Sequence, residues 1–390
     1  MSSALARAAR RTNTHTLVKT VAIVGGTHGN ETNGVYLAKH FLQPDGAAAA
    51  QRVSFETRVL LANHDAIAAN QRYVDTDMNR CFFLADLADS SLVTREQRRA
   101  KELDALLGPK ASASPAADFI IDLHNTTSCS GVALMMAPDD AFSHEVALHL
   151  VGIDPEVRIV RWSDAEDYSM LPSVGRSGLT FEVGAAPCGC LMGEWYAQSR
   201  KLVLAALDFV EEHNNVVSRA AAESAASAGA AGAAGAAEGA AAVAGGAGAG
   251  GSSPKRARTE PPAATLTAHV FSRVCSVDYP RDTNPGGGSG SGDLAAMIHP
   301  ALQGSDFRPL AEGAPLFMRL DGSTVPFAMA EHGWDEAAHG AAHPLFVNEA
   351  AYYEKGVALV LAKRTEVQVE VHPAKVAQAA AEKKAAAAQA

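Results

Sequence analysis

The stretch Val21–Gly34, with the sequence VAIVGGTHGNETNG, constrains the fold of this chain more than any other. Its apolar, β-branched run Val21–Val24 suits a buried strand, and the glycines that follow permit a tight turn before a helix with an apolar side. The turn carries His28 and Glu31, three residues apart. A histidine and a carboxylate at the carboxyl end of such a strand can bind a metal ion in an open crevice.

Length and composition narrow the class of protein. A chain of 390 residues with 47% hydrophobic residues can bury a sizeable core, and we expect two domains. The net charge of −10 argues against nucleic acid as a partner. No apolar run approaches the roughly 20 residues of a membrane helix, so we expect no membrane insertion. Five cysteines are too few, and odd in number, for a disulfide framework, which favours a reducing, cytoplasmic location.

Strands alternate with helices over residues 16–215, which predicts an α/β domain with a mixed, mostly parallel central sheet flanked by helices. After the strand at Val21–Val24, the further predicted strands are Arg52–Ala62, Asp118–Leu123, Val132–Ala137, Val157–Arg161 and Leu179–Val183. Predicted helices follow the opening turn and span Thr94–Leu107, Ala141–Leu150 and Glu194–His213.

The rest of the chain divides by composition. Residues 1–15 are basic and fit either a disordered tail or an organelle transit peptide. Residues 216–264 are rich in Ala and Gly and lack periodicity, which predicts a flexible linker. Short β-like runs separated by Pro, Gly and Asp predict a small β-rich domain over residues 265–371, and residues 372–390 are expected to form a loose tail.

Two histidines and one glutamate are the candidate metal ligands. His124 follows the predicted strand Asp118–Leu123, just as His28 and Glu31 follow the first strand. A catalytic zinc ion takes three protein ligands and leaves a position for water, so we predict that these three residues bind zinc. A lone histidine is usually a surface or hydrogen-bonding group, but two at strand ends with a nearby glutamate are harder to explain in that way.

Six ordered motifs resemble the aspartoacylase and aminoacylase-3 family. They are GGTHGNE (25–31), RYVDTDMNR (72–80), DLHNTTS (122–128), FEVG (181–184), VDYPRD (277–282) and FVNEAAYYEK (346–355). The resemblance implies a zinc carboxypeptidase-like α/β domain, followed by a smaller β-rich domain that partly covers the active site. It also implies hydrolysis of small N-acyl amino acids with one zinc ion per chain, and assembly into homodimers or homotetramers.

The resemblance further implies a role for individual residues. It assigns zinc binding to His28, Glu31 and His124, general-base catalysis to Glu182, oxyanion stabilisation to Arg72, binding of the substrate α-carboxylate to Asn79 and Arg80, and pocket-lining roles to Tyr168 and Tyr352. Without the resemblance, Glu182 would be an ordinary strand-end carboxylate, each arginine a surface ion-pair partner, and each tyrosine a packing residue.

One position departs from the family pattern. Pro172 stands where aspartoacylases have an arginine that grips the β-carboxylate of N-acetylaspartate, and Arg176 is a displaced candidate to replace it. The segment Ser173–Gly178 is closer to aminoacylase-3. We therefore expect aminoacylase-3-type substrates, namely N-acetylated aromatic amino acids and S-conjugated N-acetylcysteines. The alternatives are an N-acetylaspartate-specific aspartoacylase, a metallocarboxypeptidase, or a zinc-binding protein without catalysis.

Overall fold

The computed structural model of the chain describes residues 16–162, 169–237, 264–281 and 293–371. Within these ranges the strands are β1 (Thr20–Gly25), β2 (Glu56–Leu61), β3 (Phe119–Asn125), β4 (Gly131–Met136), β5 (Arg158–Arg161), β6 (Ser177–Gly184), β7 (Ala264–Asp278), β8 (Ala296–Ile298), β9 (Pro315–Arg319), β10 (Thr324–Pro326), β11 (His343–Leu345) and β12 (Val357–Val371). The α-helices are α1 (Thr32–Phe41), α2 (Pro44–Ala50), α3 (His64–Ala69), α4 (Leu84–Ala88), α5 (Arg95–Leu107), α6 (Ala141–Ile153), α7 (Gly193–Ala237) and α8 (Glu336–His339). The predicted basic N-terminus, the C-terminal tail and Tyr168 lie outside the described residues.

A nine-stranded mixed sheet forms the centre of the molecule, in the order β11-β12-β7-β5-β4-β6-β3-β1-β2. Strands β2, β1, β3 and β6 run parallel, β4 is antiparallel to β6, and β5 is parallel to β4. The predicted α/β class with a mixed sheet is confirmed. Because β1, β3 and β6 are parallel, their carboxyl ends meet at one edge, which we call the carboxyl edge.

Both faces of the sheet are buried, which explains why the central strands read as continuous apolar runs. Val21 and Ile23 of β1 pack with α1, α6 and α7 on one face, whereas Ala22 and Val24 pack with α5 on the other. Gly34 lets the first turn of α1 lie directly on β3, since a Cβ atom there would be 2.5 Å from the carbonyl oxygen of Leu123. This close approach fixes where the turn before α1 sits.

The C-terminal β-rich part shares the main sheet. The long strands β7 and β12 pair antiparallel, and β7 pairs parallel with β5, with Ile159 opposite Val270. A separate three-stranded sheet, β10-β9-β8, encloses its own core around Phe317 and Phe327. Between β11 and β12 the chain runs through a 3₁₀ helix (Ala350–Lys355), which lies against the carboxyl edge.

Three details differ from the predictions. Helix α7 continues to Ala237, so the prediction of a linker without regular structure is wrong for residues 216–237. These residues are rich in alanine, which is the strongest helix former. Residues 238–263, the rest of the predicted linker, lie outside the described ranges. Strand β2 begins at Glu56, not Arg52, because the preceding Val53 is almost fully exposed. His124 lies within β3 rather than in the following loop. None of the helices in the described ranges has the length and apolar composition needed to cross a membrane.

Candidate active site

Three side chains converge at the carboxyl edge. His28 and Glu31 come from the turn between β1 and α1, and His124 is the penultimate residue of β3, which pairs with β1. His28 Nδ1 lies 2.7 Å from Glu31 Oε1, His124 Nδ1 lies 2.7 Å from Glu31 Oε2, and the two Nδ1 atoms are 3.1 Å apart. All three residues are buried. The structure thus brings the three predicted ligands together.

Two carboxylates behind the histidines set their orientation. Nε2 of His28 donates to Asp77 Oδ1 at 3.0 Å, and Nε2 of His124 donates to Asp122 Oδ2 at 2.7 Å. Asp122 is fully buried and also accepts a hydrogen bond of 2.7 Å from Thr27 Oγ1. Because each Nε2 carries the proton, each Nδ1 presents a lone pair to the common point.

The donor set fits zinc. Two imidazole nitrogens and a carboxylate are ligands that zinc prefers, and bonds of about 2.0–2.1 Å in a tetrahedral site put neighbouring ligand atoms about 3.3 Å apart. The distances of 2.7 Å and 3.1 Å between the donor atoms are close to that spacing. Two lone pairs at 3.1 Å repel each other unless a cation or a proton lies between them. His28, Glu31 and His124 are therefore the residues that would hold the ion.

The charge distribution keeps the carboxylates of this centre ionised. Burial alone would raise the pKa of Glu31, but the positive charge of His28 and His124 in their protonated forms, together with their hydrogen bonds, lowers it below its ordinary value. Burial likewise opposes ionisation of Asp77, whose pKa is nevertheless lowered by His28, Arg72 and Lys355. Ionised Glu31 and Asp77 supply the negative charge that a bound cation requires.

Glu182 and Arg72 lie beside the three ligands. Glu182 of β6 is paired in register with His124 on β3, so the two side chains share a face, and both residues adjoin the cavity at the carboxyl edge. Burial and the carboxylates of Glu31 and Glu349 hold the pKa of Glu182 well above its ordinary value, although His124 and Arg72 act to lower it. The raised pKa gives this carboxylate greater basicity.

Arg72 is fixed by two of the same carboxylates. Its Nη1 donates to Glu31 Oε1 at 3.1 Å, and its Nη2 donates to Asp77 Oδ2 at 3.2 Å. Despite burial, these two carboxylates raise the pKa of Arg72 above its ordinary value. The buried Nε has no hydrogen-bond partner among the described residues. A preorganised guanidinium with a spare N–H group suits an oxyanion.

The predicted substrate-binding residues Asn79, Arg80 and Tyr352 all adjoin the cavity, but their other contacts differ. Asn79 is buried, and its Oδ1 accepts a hydrogen bond of 3.1 Å from the backbone of Leu171, so the amide positions a neighbouring loop. Arg80 lines the cavity and gives one N–H to the carbonyl of Asn79 at 2.8 Å. Tyr352 lines the same cavity from the C-terminal part, and burial together with Glu182 and Glu349 raises its pKa.

The two positions considered for a β-carboxylate grip lie away from the cavity. Pro172 is buried in a 3₁₀ helix (Leu171–Val174), where its ring packs against Gly178, and Met170 adjoins the cavity instead. Arg176 precedes β6 and pairs with Asp118 at 2.9 Å, at the opposite end of the strand from Glu182. The suggestion that Arg176 replaces the missing arginine is therefore wrong, because a four-residue shift carries it to the other edge of the sheet.

The sequence reasoning missed several residues of the site. Asp77, Asp122 and Glu349 received no role, although each lies within a motif that carried the family resemblance. Glu349 accepts hydrogen bonds from the backbone of Thr127 at 2.8 Å and of Ser128 at 3.3 Å, in the loop after His124. A carboxylate within a few residues of a predicted histidine ligand was the available signal for Asp122.

Comparison with known proteins supplies the family. Residues 18–210 match the model of the succinylglutamate desuccinylase/aspartoacylase catalytic domain, and residues 267–364 match the AstE/AspA barrel-sandwich hybrid domain. The chain is 33% identical to a "Probable aspartoacylase" of Acaryochloris marina over 90% of this chain and 98% of that protein. It is 34% identical to the human N-acyl-aromatic-L-amino acid amidohydrolase (carboxylate-forming), over 92% and 94%.

The fold comparison agrees. The crystal structure of murine aminoacylase 3 superimposes with a TM-score of 0.70 at 31% identity, covering 91% of this chain and 98% of that one. The mixed α/β sheet and the C-terminal β-rich part thus recur in a relative with similar length and sequence. The predicted resemblance is confirmed, and the chain belongs to the succinylglutamate desuccinylase/aspartoacylase family.

Proposed function

We propose that this chain is a zinc-dependent hydrolase that cleaves the amide bond of N-acyl amino acids, releasing a carboxylate and the free amino acid. The observation that carries the proposal is the convergence of three buried ligand atoms of His28, Glu31 and His124, with Glu182 and Arg72 alongside. Metal storage needs neither the base nor the arginine. The amidohydrolase and aspartoacylase names of the relatives support the same reaction class.

Each residue has a defined task in amide hydrolysis. A zinc ion held by the three ligands would supply Lewis-acid polarisation and a lowered pKa for water. Glu182 takes a proton from the attacking water at its carboxylate and returns it to the leaving amine. The Nε–H of Arg72, held by Glu31 and Asp77, donates to the oxygen that gains negative charge in the tetrahedral intermediate.

The cavity lining supports an apolar or aromatic substrate side chain. Arg80 uses one of its five N–H groups on Asn79 and presents the planar fork that suits an α-carboxylate. The lining also includes Met135, Met170, Phe346 and Tyr352, which offer sulfur and aromatic surface. We therefore propose aminoacylase-3-type substrates, such as N-acetylated aromatic amino acids and S-conjugated N-acetylcysteines.

An N-acetylaspartate-specific enzyme is the second candidate, because several relatives carry the name aspartoacylase. Its substrate has a second carboxylate that requires its own cation. Among the described residues that line the cavity, the cationic groups are Arg72 and Arg80, and Arg72 is already held by two carboxylates. This charge balance favours the aromatic substrates.

Steady-state kinetics on N-acetyl-L-tyrosine, N-acetyl-L-aspartate and a blocked dipeptide test the proposal, with each assay repeated after chelation and after zinc is restored. We expect the highest kcat/KM on the tyrosine derivative, loss of activity with the chelator, and recovery with zinc. A preference for the aspartate derivative would contradict the substrate assignment. A preference for the dipeptide would indicate a carboxypeptidase, and no turnover of any substrate would refute the enzymatic proposal.

Three further proposals accompany this function. We propose a homo-oligomer, a dimer or tetramer, which light scattering of the purified protein can test. We propose a cytoplasmic location, which fluorescence microscopy of the tagged protein in cells can test. We propose that the N-terminal catalytic unit spans residues 16–215 and the C-terminal unit 265–371, which limited proteolysis can test.

A further inference from the structure

Lys355, in the C-terminal part, contacts the proposed metal ligands indirectly, through the carboxylate of Asp77. Lys355 Nζ donates to Asp77 Oδ2 at 3.0 Å, and the other oxygen of Asp77 accepts from His28 Nε2 at 3.0 Å. We infer that Lys355 is a positioning residue that holds Asp77, and through it His28, in the orientation required for metal binding. The inference rests on the proposed function for the identity of the metal.

Two cations contact the same oxygen of Asp77. Its Oδ2 receives Arg72 Nη2 at 3.2 Å as well as Lys355 Nζ, whereas its Oδ1 receives the imidazole of His28 and the backbone N–H of Asn79, both at 3.0 Å. A buried carboxylate with both oxygens engaged has one stable orientation. Without Lys355, Arg72 is the remaining cation on Oδ2, and it also serves Glu31.

Lys355 is suited to this task because it is only partly exposed. Its side chain is 29% exposed and that of Asp77 is 7% exposed, so the ion pair is shielded from solvent on the side of the carboxylate. The lysine is the last residue of the 3₁₀ helix (Ala350–Lys355). The preceding residue, Glu354, accepts a hydrogen bond from Tyr73, which is next to Arg72 in the sequence. The C-terminal part therefore contacts the loop that bears both Arg72 and Asp77.

A merely structural role is the competing explanation. Lys355 joins two distant parts of the chain, and such an ion pair could hold them together without affecting the metal. The two roles differ in their effect on zinc affinity. Loss of a group that hydrogen-bonds a histidine ligand directly, as Asp77 does, typically weakens metal binding about 10- to 100-fold. Lys355 acts one contact further out, through Asp77, so its loss should weaken binding less, whereas loss of a surface tether leaves the ligand set unchanged.

Zinc dissociation constants, measured by competition with a chromophoric chelator, test the inference on the full-length protein. The variants are Lys355→Met, Lys355→Arg and the control Lys363→Met, a lysine of β12 opposite Ser272. We expect Lys355→Met to bind zinc more weakly, by up to about 10-fold, Lys355→Arg to retain most of the affinity, and Lys363→Met to match the wild type. Equal affinities of Lys355→Met and Lys363→Met would overturn the inference.

A second measurement separates a loss of stability in Lys355→Met from a loss of zinc affinity. Thermal unfolding of the metal-free proteins reports on tethering alone, and Lys355→Gln, which keeps a hydrogen-bond donor, replaces Lys355→Met if the latter does not fold. A lower unfolding temperature with unchanged zinc affinity in the folded variant refutes the positioning role. Substrate is absent throughout, so a wild type that binds zinc without hydrolysing N-acyl amino acids contradicts the proposed function only. A wild type that binds no zinc contradicts both.

Discussion

Asp306 provides a stability prediction whose size follows from the structure. The residue is 7% exposed, its Oδ1 accepts the backbone N–H of Val347 at 3.0 Å, and its buried Oδ2 has no hydrogen-bond partner among the described residues. Burial raises the pKa of Asp306 from 3.8 to about 6. Val347 follows Phe346, which lines the cavity, so this carboxylate supports one wall of the site.

The sign of the pH dependence follows from the raised pKa. Between pH 4 and 6 the unfolded chain releases the proton of Asp306 while the folded protein retains it. The contribution of Asp306 to the free energy of unfolding is therefore fully present below its ordinary pKa, and it is lost as the pH rises to about 6. Each pKa unit corresponds to about 1.4 kcal/mol, so the loss amounts to about 3 kcal/mol.

Asp306→Asn removes the buried charge and keeps an oxygen for Val347. The free energy of unfolding, measured with urea, should be compared for the variant and the wild type at pH 4 and at pH 8. The difference between the two proteins should shift in favour of the variant by up to about 3 kcal/mol from pH 4 to pH 8. The exposed Asp45 serves as a control, since Asp45→Asn should show no comparable gain. An Asp306→Asn variant whose stability difference from wild type is the same at both pH values would refute the reasoning.

Three other predictions concern the site and its support. Glu182→Gln preserves shape but cannot accept a proton, so kcat should fall about 10²- to 10⁴-fold with zinc content unchanged, and a variant with wild-type turnover would remove Glu182 as the base. Arg80→Ala should mainly raise KM, as expected for a lost carboxylate contact, and an unchanged KM measured by steady-state kinetics would exclude the clamp. Gly34→Ala places a Cβ atom 2.5 Å from the Leu123 carbonyl, so it should lower the free energy of unfolding by about 1–3 kcal/mol, and a variant as stable as wild type would show that α1 can move away from β3.

Much of the fold could be predicted because local patterns and the global fold agree. The run Val21–Val24 forms β1, and the predicted helix Thr94–Leu107 is observed as α5, with Thr94 as its N-cap. Long-range strand order left no local signal: nothing in β7 or β12 indicates that they extend the main sheet through β5. For residues 216–237, low complexity predicts a flexible linker, but alanine favours helix even without tertiary contacts, and these residues are helical.

The ligand set was accessible from the sequence, but the contacts that support it from distant parts of the chain were not. His28, Glu31 and His124 stand at strand ends, where parallel strands bring side chains together. Asp77 and Lys355 are 278 residues apart, and their contact depends on how the C-terminal part folds back onto the carboxyl edge. Pro172 was assigned from sequence spacing alone, which cannot tell a cavity wall from a packed turn.

Anomalous diffraction at the zinc absorption edge, from crystals of the zinc-loaded protein, would locate the metal ion relative to the three proposed ligands. We predict one strong peak per chain at about 2 Å from His28 Nδ1, His124 Nδ1 and a carboxylate oxygen of Glu31. No peak at this position, or a peak bound through the Nε2 atoms that Asp77 and Asp122 occupy, would contradict the account.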